Sequence, residues 1–472
     1  MRSRWWGAAV LMGLLAACGG EPKEPVEPEP GNNDPNNDPN NDPNNDPNEG
    51  ALTFFKDIKP LLDAKCNQCH FDGGPAPFAL SDYAQVSALR ESIRLAVQER
   101  TMPPWQAGQG CTDYYGDFSL SEAEQRGLID WIDGGAVEGD PSQSPQVEVR
   151  PPAGLSRVDL RATLPEAYTP PGTSPDDYRC FLVDWDEVET KYVVGYDVKP
   201  DNQAIVHHLI AYLITPDQVQ EYEALDAGEP GAGYTCYGGP GGSRTNWIGA
   251  WAPGSSAKLM PPGTGIRVDP GSKVLIQMHY NTLAADPSPD RSTIEFTLAD
   301  SVEKEAYIFP FTDFLGWIRG NAMIIPPGEK DVVHSYEFDP TNFLDAVTDG
   351  AIPNGAFKIY SASLHMHTLG TSGQIAIKRG GEGDECMLEI PRWDFNWQDS
   401  YGFMEPKTFN TGDKLFLECH WDNSAENQPF LRMDTDGDGT PDSFQQAEPQ
   451  EVRWGEGTRD EMCLGIMYIT AQ

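Results

Sequence analysis

The chain has 472 residues, with 33 Lys+Arg against 73 Asp+Glu and a formal net charge of -40 at pH 7. A surplus of that size repels phosphate backbones and anionic headgroups, which excludes nucleic-acid binding and adhesion to an acidic bilayer through basic patches. From about residue 51 onward the chain is long enough for two or three domains.

Residues 1–18, "MRSRWWGAAVLMGLLAAC", place Arg2 and Arg4 before an apolar run too short to span a bilayer, followed by small residues and Cys18. This is the pattern of a secretory signal. Leu15-Ala16-Ala17-Cys18 further resembles the lipobox of bacterial lipoproteins, which implies lipidation of Cys18 and contact with the membrane through a lipid anchor only. A plain signal peptide with an incidental cysteine is the competing reading. Gly19, where an Asp would mark inner-membrane retention, directs the expectation to the outer membrane of a diderm bacterium, outside the cytoplasm. Residues 19–50, with their repeated "NNDP", contain nothing that builds a core and read as a Pro-stiffened acidic tether. No later apolar run approaches transmembrane length.

Residues 51–145 follow a helical pattern. "LTFFKDIKPLLDAKCNQCH" carries apolar residues at helical spacing into a C-x-x-C-H, and "LSEAEQRGLIDWIDGGA" is an amphipathic helix opened by Ser121 and closed by glycine. Cys66 and Cys69, a turn apart, can take up the vinyl groups of one haem while His70 ligates its iron. A zinc site or a thiol redox pair competes, although a thioredoxin-type motif belongs in a βαβ setting without the adjoining His. "CNQCHFDGGPAPFALSDY", "TMPPW" and the closing helix resemble small bacterial class I cytochrome c domains. The resemblance implies Met102 as sixth iron ligand; by spacing alone it is one Met among several. Thioether ligation suits electron transfer.

After a linker at 146–160, helical periodicity gives way to short β-branched and aromatic runs such as "KYVVGYDV", "KVLIQMHY" and "FKIYSASLHMH", punctuated by Gly, Pro, Asn and Asp. Two all-β jelly-roll-like sandwich domains are expected, at 161–304 and 305–472, behind the small all-α domain. Five of the eight histidines lie in these apolar runs: His207 and His208, His279, and His365 with His367. One buried histidine is ordinarily a core residue, whereas five in three strand-like contexts point to metal. His365 and His367 leave one face of a strand, but His207 and His208 are neighbours and reach one ion only with a bulge or a strand end. Imidazole and thioether donors, with no carboxylate near these histidines, disfavour calcium, magnesium and non-haem iron. They leave copper or zinc, and a Met ligand would select copper.

"VHHLIAY", "NWIGAWAPG", "MPPGTGIRVDPGSKVLIQMHYN", "LHMHTLG" and "WGEGTRDEMCLGIMYI" resemble, in order and context, the copper type II ascorbate-dependent monooxygenases, the family of peptidylglycine α-hydroxylating monooxygenase and dopamine β-monooxygenase. The resemblance spans about 175–470. It implies an electron-transfer copper on His207, His208 and His279, and an oxygen-binding copper on His365, His367 and Met462. Met467 is then packing, and His334 and His420 are structural. The implied partners are O2, a small organic substrate and an external electron donor. Each copper would cycle by one electron in the hydroxylation of a C–H bond; beyond what the family implies, the fused haem is read as relaying electrons in place of or alongside an ascorbate-like reductant, and two modules that merely share a tether are the alternative.

Six of the nine cysteines remain once Cys18, Cys66 and Cys69 are assigned, and spacing alone does not choose among their pairings. The resemblance pairs Cys180 with Cys236 and Cys419 with Cys463, and leaves Cys111 and Cys386 to pair across domains or stay free. In the peptide-amidating members an Arg precedes the H-x-H pair by two positions, and Asn and Tyr follow the ligand Met. Ser363, Leu464 and Ile466 stand there in this chain, which argues against a peptide carboxylate and for a more apolar substrate. "DTDGDGTPD" sets Asp434, Asp436, Asp438 and Asp442 among glycines as calcium loops do. Gln445 holds the twelfth position, so a short calcium loop and a solvated turn are both open. Two other classes compete with a hydroxylase: a copper and haem electron-transfer or copper-binding surface protein without oxygenase activity, and a surface protein whose metals are structural.

Overall fold

A computed structural model describes residues 51–472 apart from 73–75, 148–153, 173–175, 244–245, 253–254, 283–284, 349, 353–354, 382 and 434–442. Cys18, the NNDP repeats and the Asp-rich loop Asp434, Asp436, Asp438 and Asp442 lie outside the described residues. Among the described residues no helix is long and apolar enough to cross a membrane.

The N-terminal part is helical, as its periodicity predicts, with α-helices Lys59–Lys65, Tyr83–Gln98 and Glu122–Asp133. Local chemistry fixes their starts. Asp82 accepts a hydrogen bond from the Gln85 amide. Ser121 and Glu124 close a reciprocal capping box that satisfies two otherwise unpaired amides, a device worth about 1 kcal/mol. Phe54, Ile58, Leu62, Val86, Ile93, Leu128 and Trp131 form the core of this part.

The remainder is β, in two sandwiches with separate cores around Phe181, Ile276 and Phe296 and around Phe357, Ile375 and Leu417. In the first, the strand Lys273–Asn281 lies between Asp176–Asp184 and Val206–Ile214, antiparallel to both. It is buried from Val274 to Tyr280 because both of its faces are covered, one by the main core and one by a cluster around the Cys180–Cys236 disulfide. In the second, a four-stranded sheet containing Gly370–Lys378 and Lys414–Trp421 faces a sheet in which Phe357–His365 pairs with Tyr401–Phe409 and Leu464–Ala471.

Two features depart from a plan of separate domains. The strand Lys304–Phe311 pairs along Leu464–Ala471 and also meets Asn246–Trp251 and Thr264–Val268, so hydrogen bonding runs from one sandwich into the other. Residues 105–118, expected within the helical domain, pack on the second sandwich instead. Ala107 and Tyr114 join its core. The Gly108 amide donates to Glu389 O and the Tyr115 amide to Gly402 O, and Cys111 is bonded to Cys386. This strap has no periodic pattern of its own, so its place follows from long-range pairing.

Candidate metal centre

His207 and His208 sit on the strand Val206–Ile214, opposite His279 on its neighbour. The register shifts between Val206 and His208, the bulge that consecutive histidines require to face one point. Their Nδ1 atoms form a triangle with sides of 3.4 Å (His207 to His208), 3.1 Å (His207 to His279) and 3.2 Å (His279 to His208). The centre of that triangle is about 1.9 Å from each corner, close to the ~2.0–2.1 Å of a metal–imidazole bond. Three nitrogens aimed at one point cannot satisfy one another by hydrogen bonding, since each pair can share only one proton. A metal ion satisfies all three.

The other nitrogen of His279 is engaged. Its Nε2–H donates to Asp176 Oδ1 at 2.8 Å, which leaves Nδ1 with its lone pair toward the other two rings. Asp176 also accepts from Asn281 and from the Thr458 hydroxyl. Burial alone would raise its pKa, but these hydrogen bonds and the His279 ring hold it well below the ordinary carboxylate range. The expectation of no carboxylate near the histidines therefore fails in space although it holds in sequence. The pairing of Tyr178 with His279 brings Asp176 alongside from about a hundred residues away.

His365 ends the strand Phe357–His365, paired with Leu464. His367 lies two residues beyond His365 and Met462 two before Leu464, and both border one cavity. His365 Nδ1 donates to Gln398 Oε1 at 2.5 Å and His367 Nδ1 to the Asp460 carbonyl at 2.9 Å. Both partners are acceptors, so Nε2 keeps the lone pair in each ring. The backbone amides of His367 and Leu369 and the Trp421 indole donate to the buried carboxylate of Glu461. Met462 is buried, and its neighbour Cys463 is tied to Cys419. His365 is pushed down to about 4 and His367 to about 3, by burial in each case. Burial and neighbouring imidazoles likewise hold His207 and His208 well below their ordinary value. All five rings are thus neutral at neutral pH, the form in which an imidazole can bind a metal.

The two donor sets are adjacent. His208 and His365 have ring centroids 6.4 Å apart. Phe395 stacks on His207 at 4.8 Å and lies 6.1 Å from His367. A cavity of about 800 Å³ opens beside them, lined by His208, His365, His367 and Met462 and by apolar side chains from both sandwiches, among them Trp247, Tyr360, Leu464 and Ile466. Met467 is fully buried in the second core. His334 and His420 are bonded elsewhere, to Ile324 O and Asp331.

Residues 161–286 match the model of the copper type II ascorbate-dependent monooxygenase N-terminal domain and residues 314–435 that of the C-terminal domain. The chain belongs to that family. Among curated proteins, this family member is 25% identical to dopamine beta-hydroxylase of Rattus norvegicus over 335 residues, 67% of this chain and 46% of that protein. It is 27% identical to DBH-like monooxygenase protein 2 of Mus musculus over 260 residues, 52% of this chain and 39% of that protein. The monooxygenase-like chain thus spans less than half the length of these relatives. A solved peptide-N(4)-(N-acetyl-beta-D-glucosaminyl) asparagine amidase covers 66% of the chain at 8% identity with a TM-score of 0.28, and neither fold nor activity is taken from it.

The donor set fits copper. Three imidazoles form one set, and two further imidazoles border the same cavity as the Met462 thioether. The C-x-x-C-H segment fits a covalent haem in its chemistry. Cys66 and Cys69 are both unbonded, and His70 Nδ1 donates to Phe78 O at 3.1 Å, leaving Nε2 free. Met102, half-buried, lies just after helix Tyr83–Gln98. Sequence reasoning did not single out Asp176, Trp393, Phe395, Gln398 or Glu461. Only Glu461, next to Met462, carries a local signal.

Proposed function

We propose that the protein is a copper-dependent monooxygenase that hydroxylates a C–H bond of a small apolar organic substrate with O2. What carries this reading is the pairing of a closed three-imidazole set with a His365, His367 and Met462 set that borders a substrate-sized cavity. His207, His208 and His279 would hold one copper and His365, His367 and Met462 the other. Copper at such sites supplies one-electron redox chemistry, and a thioether ligand favours the reduced ion.

The chain's own residues do the rest. Asp176 and Gln398 orient the rings, and Glu461 pins the turn that carries His367. The cavity's aromatic and aliphatic walls exclude water and select an apolar ligand. Among the described residues its one lining cation, Lys258, is paired with Asp399, so a free carboxylate finds no counter-charge. Ser363, Leu464 and Ile466 line the same cavity, which supports the apolar reading. The name of the Rattus norvegicus relative concerns dopamine; this chain's substrate is assigned only by class.

The finer reading adds a c-type haem on Cys66 and Cys69, ligated by His70 and Met102, as electron entry alongside an ascorbate-like donor. Its support is the aromatic series that follows Met102: Phe118 and Tyr401 each lie 5.0 Å from Trp105. The domain limits expected from sequence, 51–145, 161–304 and 305–472, belong to this reading, with residues 105–118 of the first packed on the second sandwich. So does a lipid-anchored site outside the cytoplasm, which three disulfides suit. The test is the metal content of the purified full chain together with oxygen uptake in a screen of apolar substrates. Two coppers per chain and substrate-dependent uptake are expected; copper-loaded protein without uptake would favour an electron-transfer role.

A further inference from the structure

The loop 391–400 forms no regular secondary structure, yet it touches three of the five histidines. The Trp393 indole donates to His367 O at 2.9 Å. Phe395 stacks on His207. Gln398 Oε1 accepts from His365 Nδ1. A loop without a hydrogen-bonded ladder holds its shape only through contacts made by others. Here some come from the sandwiches, where Ser255 Oγ donates to Gln398 O, Lys258 pairs with Asp399 and the Trp393 amide donates to Thr371 O, and others come from the N-terminal part of the chain. The Gln106 side-chain amide donates to two of the loop's carbonyls, Asp394 O at 2.8 Å and Trp397 O at 2.5 Å, and Arg392 donates to Glu99 O. Tyr401, where the loop ends, accepts from the Gln106 amide N–H and stacks edge-on with Trp105.

The orientation of the Gln106 amide is dictated, because two carbonyls demand two N–H donors. Among the described residues its own Oε1 is left buried without a partner. An unmet buried acceptor costs stability, so this residue is not placed for stability alone.

We infer that Gln106 is a positioning residue of the metal centre, through which the N-terminal strap sets the imidazoles of both donor sets by way of the loop 391–400. The inference rests on the copper reading above. An ordinary residue behind one ligand tunes one metal. Gln106 acts through Phe395 on the His207 set and through Trp393 and Gln398 on the His365 and His367 set, so its loss disturbs both. The sandwiches match the family, but their metal centre is completed by a segment that lies before the matched residues.

The experiment uses the full chain with Gln106→Glu, which keeps size and replaces the NH2 that carries both donors by an oxygen, and Arg392→Ala, an exposed change that removes the second tether. Cu(I) affinity by chelator competition, the Cu(II) paramagnetic resonance spectrum and thermal unfolding are measured together. For Gln106→Glu, both copper-binding steps should weaken by about tenfold or more, the range seen for residues that orient metal ligands, with an altered spectrum. Arg392→Ala should shift in the same direction by less. Two-fold or smaller changes in both affinities with an unchanged spectrum, even if the melting temperature falls, would make Gln106 a mere clamp and overturn the inference. Weakening of one step only would overturn the claim that it serves both sets. If Gln106→Glu does not fold, Arg392→Ala alone decides, and parental copper binding in it overturns the inference. A parent chain that binds no copper would be seen before any variant is compared, and would sink the copper reading itself.

Discussion

Asp176 and His279 are joined by a 2.8 Å hydrogen bond that decides which imidazole nitrogen faces the other two histidines. The same carboxylate accepts from Thr458, four residues before Met462, and so ties the loop leading to the second donor set onto the first sandwich. Asp176→Ala should weaken copper binding at the His207, His208 and His279 set by about 10–100-fold, with a smaller effect at the other. Chelator competition on each site measures it; an unchanged affinity would remove Asp176 from the centre.

Met462→Ile keeps an apolar side chain of similar volume in a buried position while deleting the thioether. Substrate-dependent oxygen uptake should fall to background, with copper retained at the three-imidazole set and the fold intact by circular dichroism. Parental turnover in this variant would show that the thioether is not part of the oxygen-binding set.

Glu456 lines the cavity, and burial, with the Asp460 carboxylate nearby, pushes its pKa up to about 7. A carboxyl whose folded pKa is raised stabilises the fold below its unfolded value, and that contribution is lost as pH rises through the folded one. The melting temperature should therefore decline between about pH 5 and pH 7.5 through this group, and Glu456→Gln should flatten that part of the profile. Parallel profiles for parent and variant would assign the decline elsewhere.

Trp105 stands between Phe118 and Tyr401. If electrons enter through the helical part, Trp105→Leu should slow the anaerobic oxidation of pre-reduced haem in copper-loaded protein at least several-fold, with both metals still bound. Stopped-flow absorbance follows it directly. An unchanged rate would mean that the aromatic series only packs the strap.

What the sequence determines by itself is local. The two-residue spacing of His365 and His367 sets them on one face of a strand, the C-x-x-C-H places two thiols beside an imidazole, and Ser121 with Glu124 writes a helix start. The short apolar runs give the β class, and motifs such as "VHHLIAY" and "LHMHTLG" carry the resemblance to the family. Tertiary structure decided the rest. Neighbours on a strand point apart, so only the bulge between Val206 and His208 lets His207 and His208 converge. Asp176, Phe395 and Gln398 lie far in sequence from the histidines they touch and carry no periodic signal. Cys111 and Cys386 are 275 residues apart, and their bond depends on the strap finding the second sandwich. Side-chain spacing along an element follows from backbone geometry, and a sequence records it. Which distant segment meets that element follows from packing the whole chain, and no local pattern encodes it.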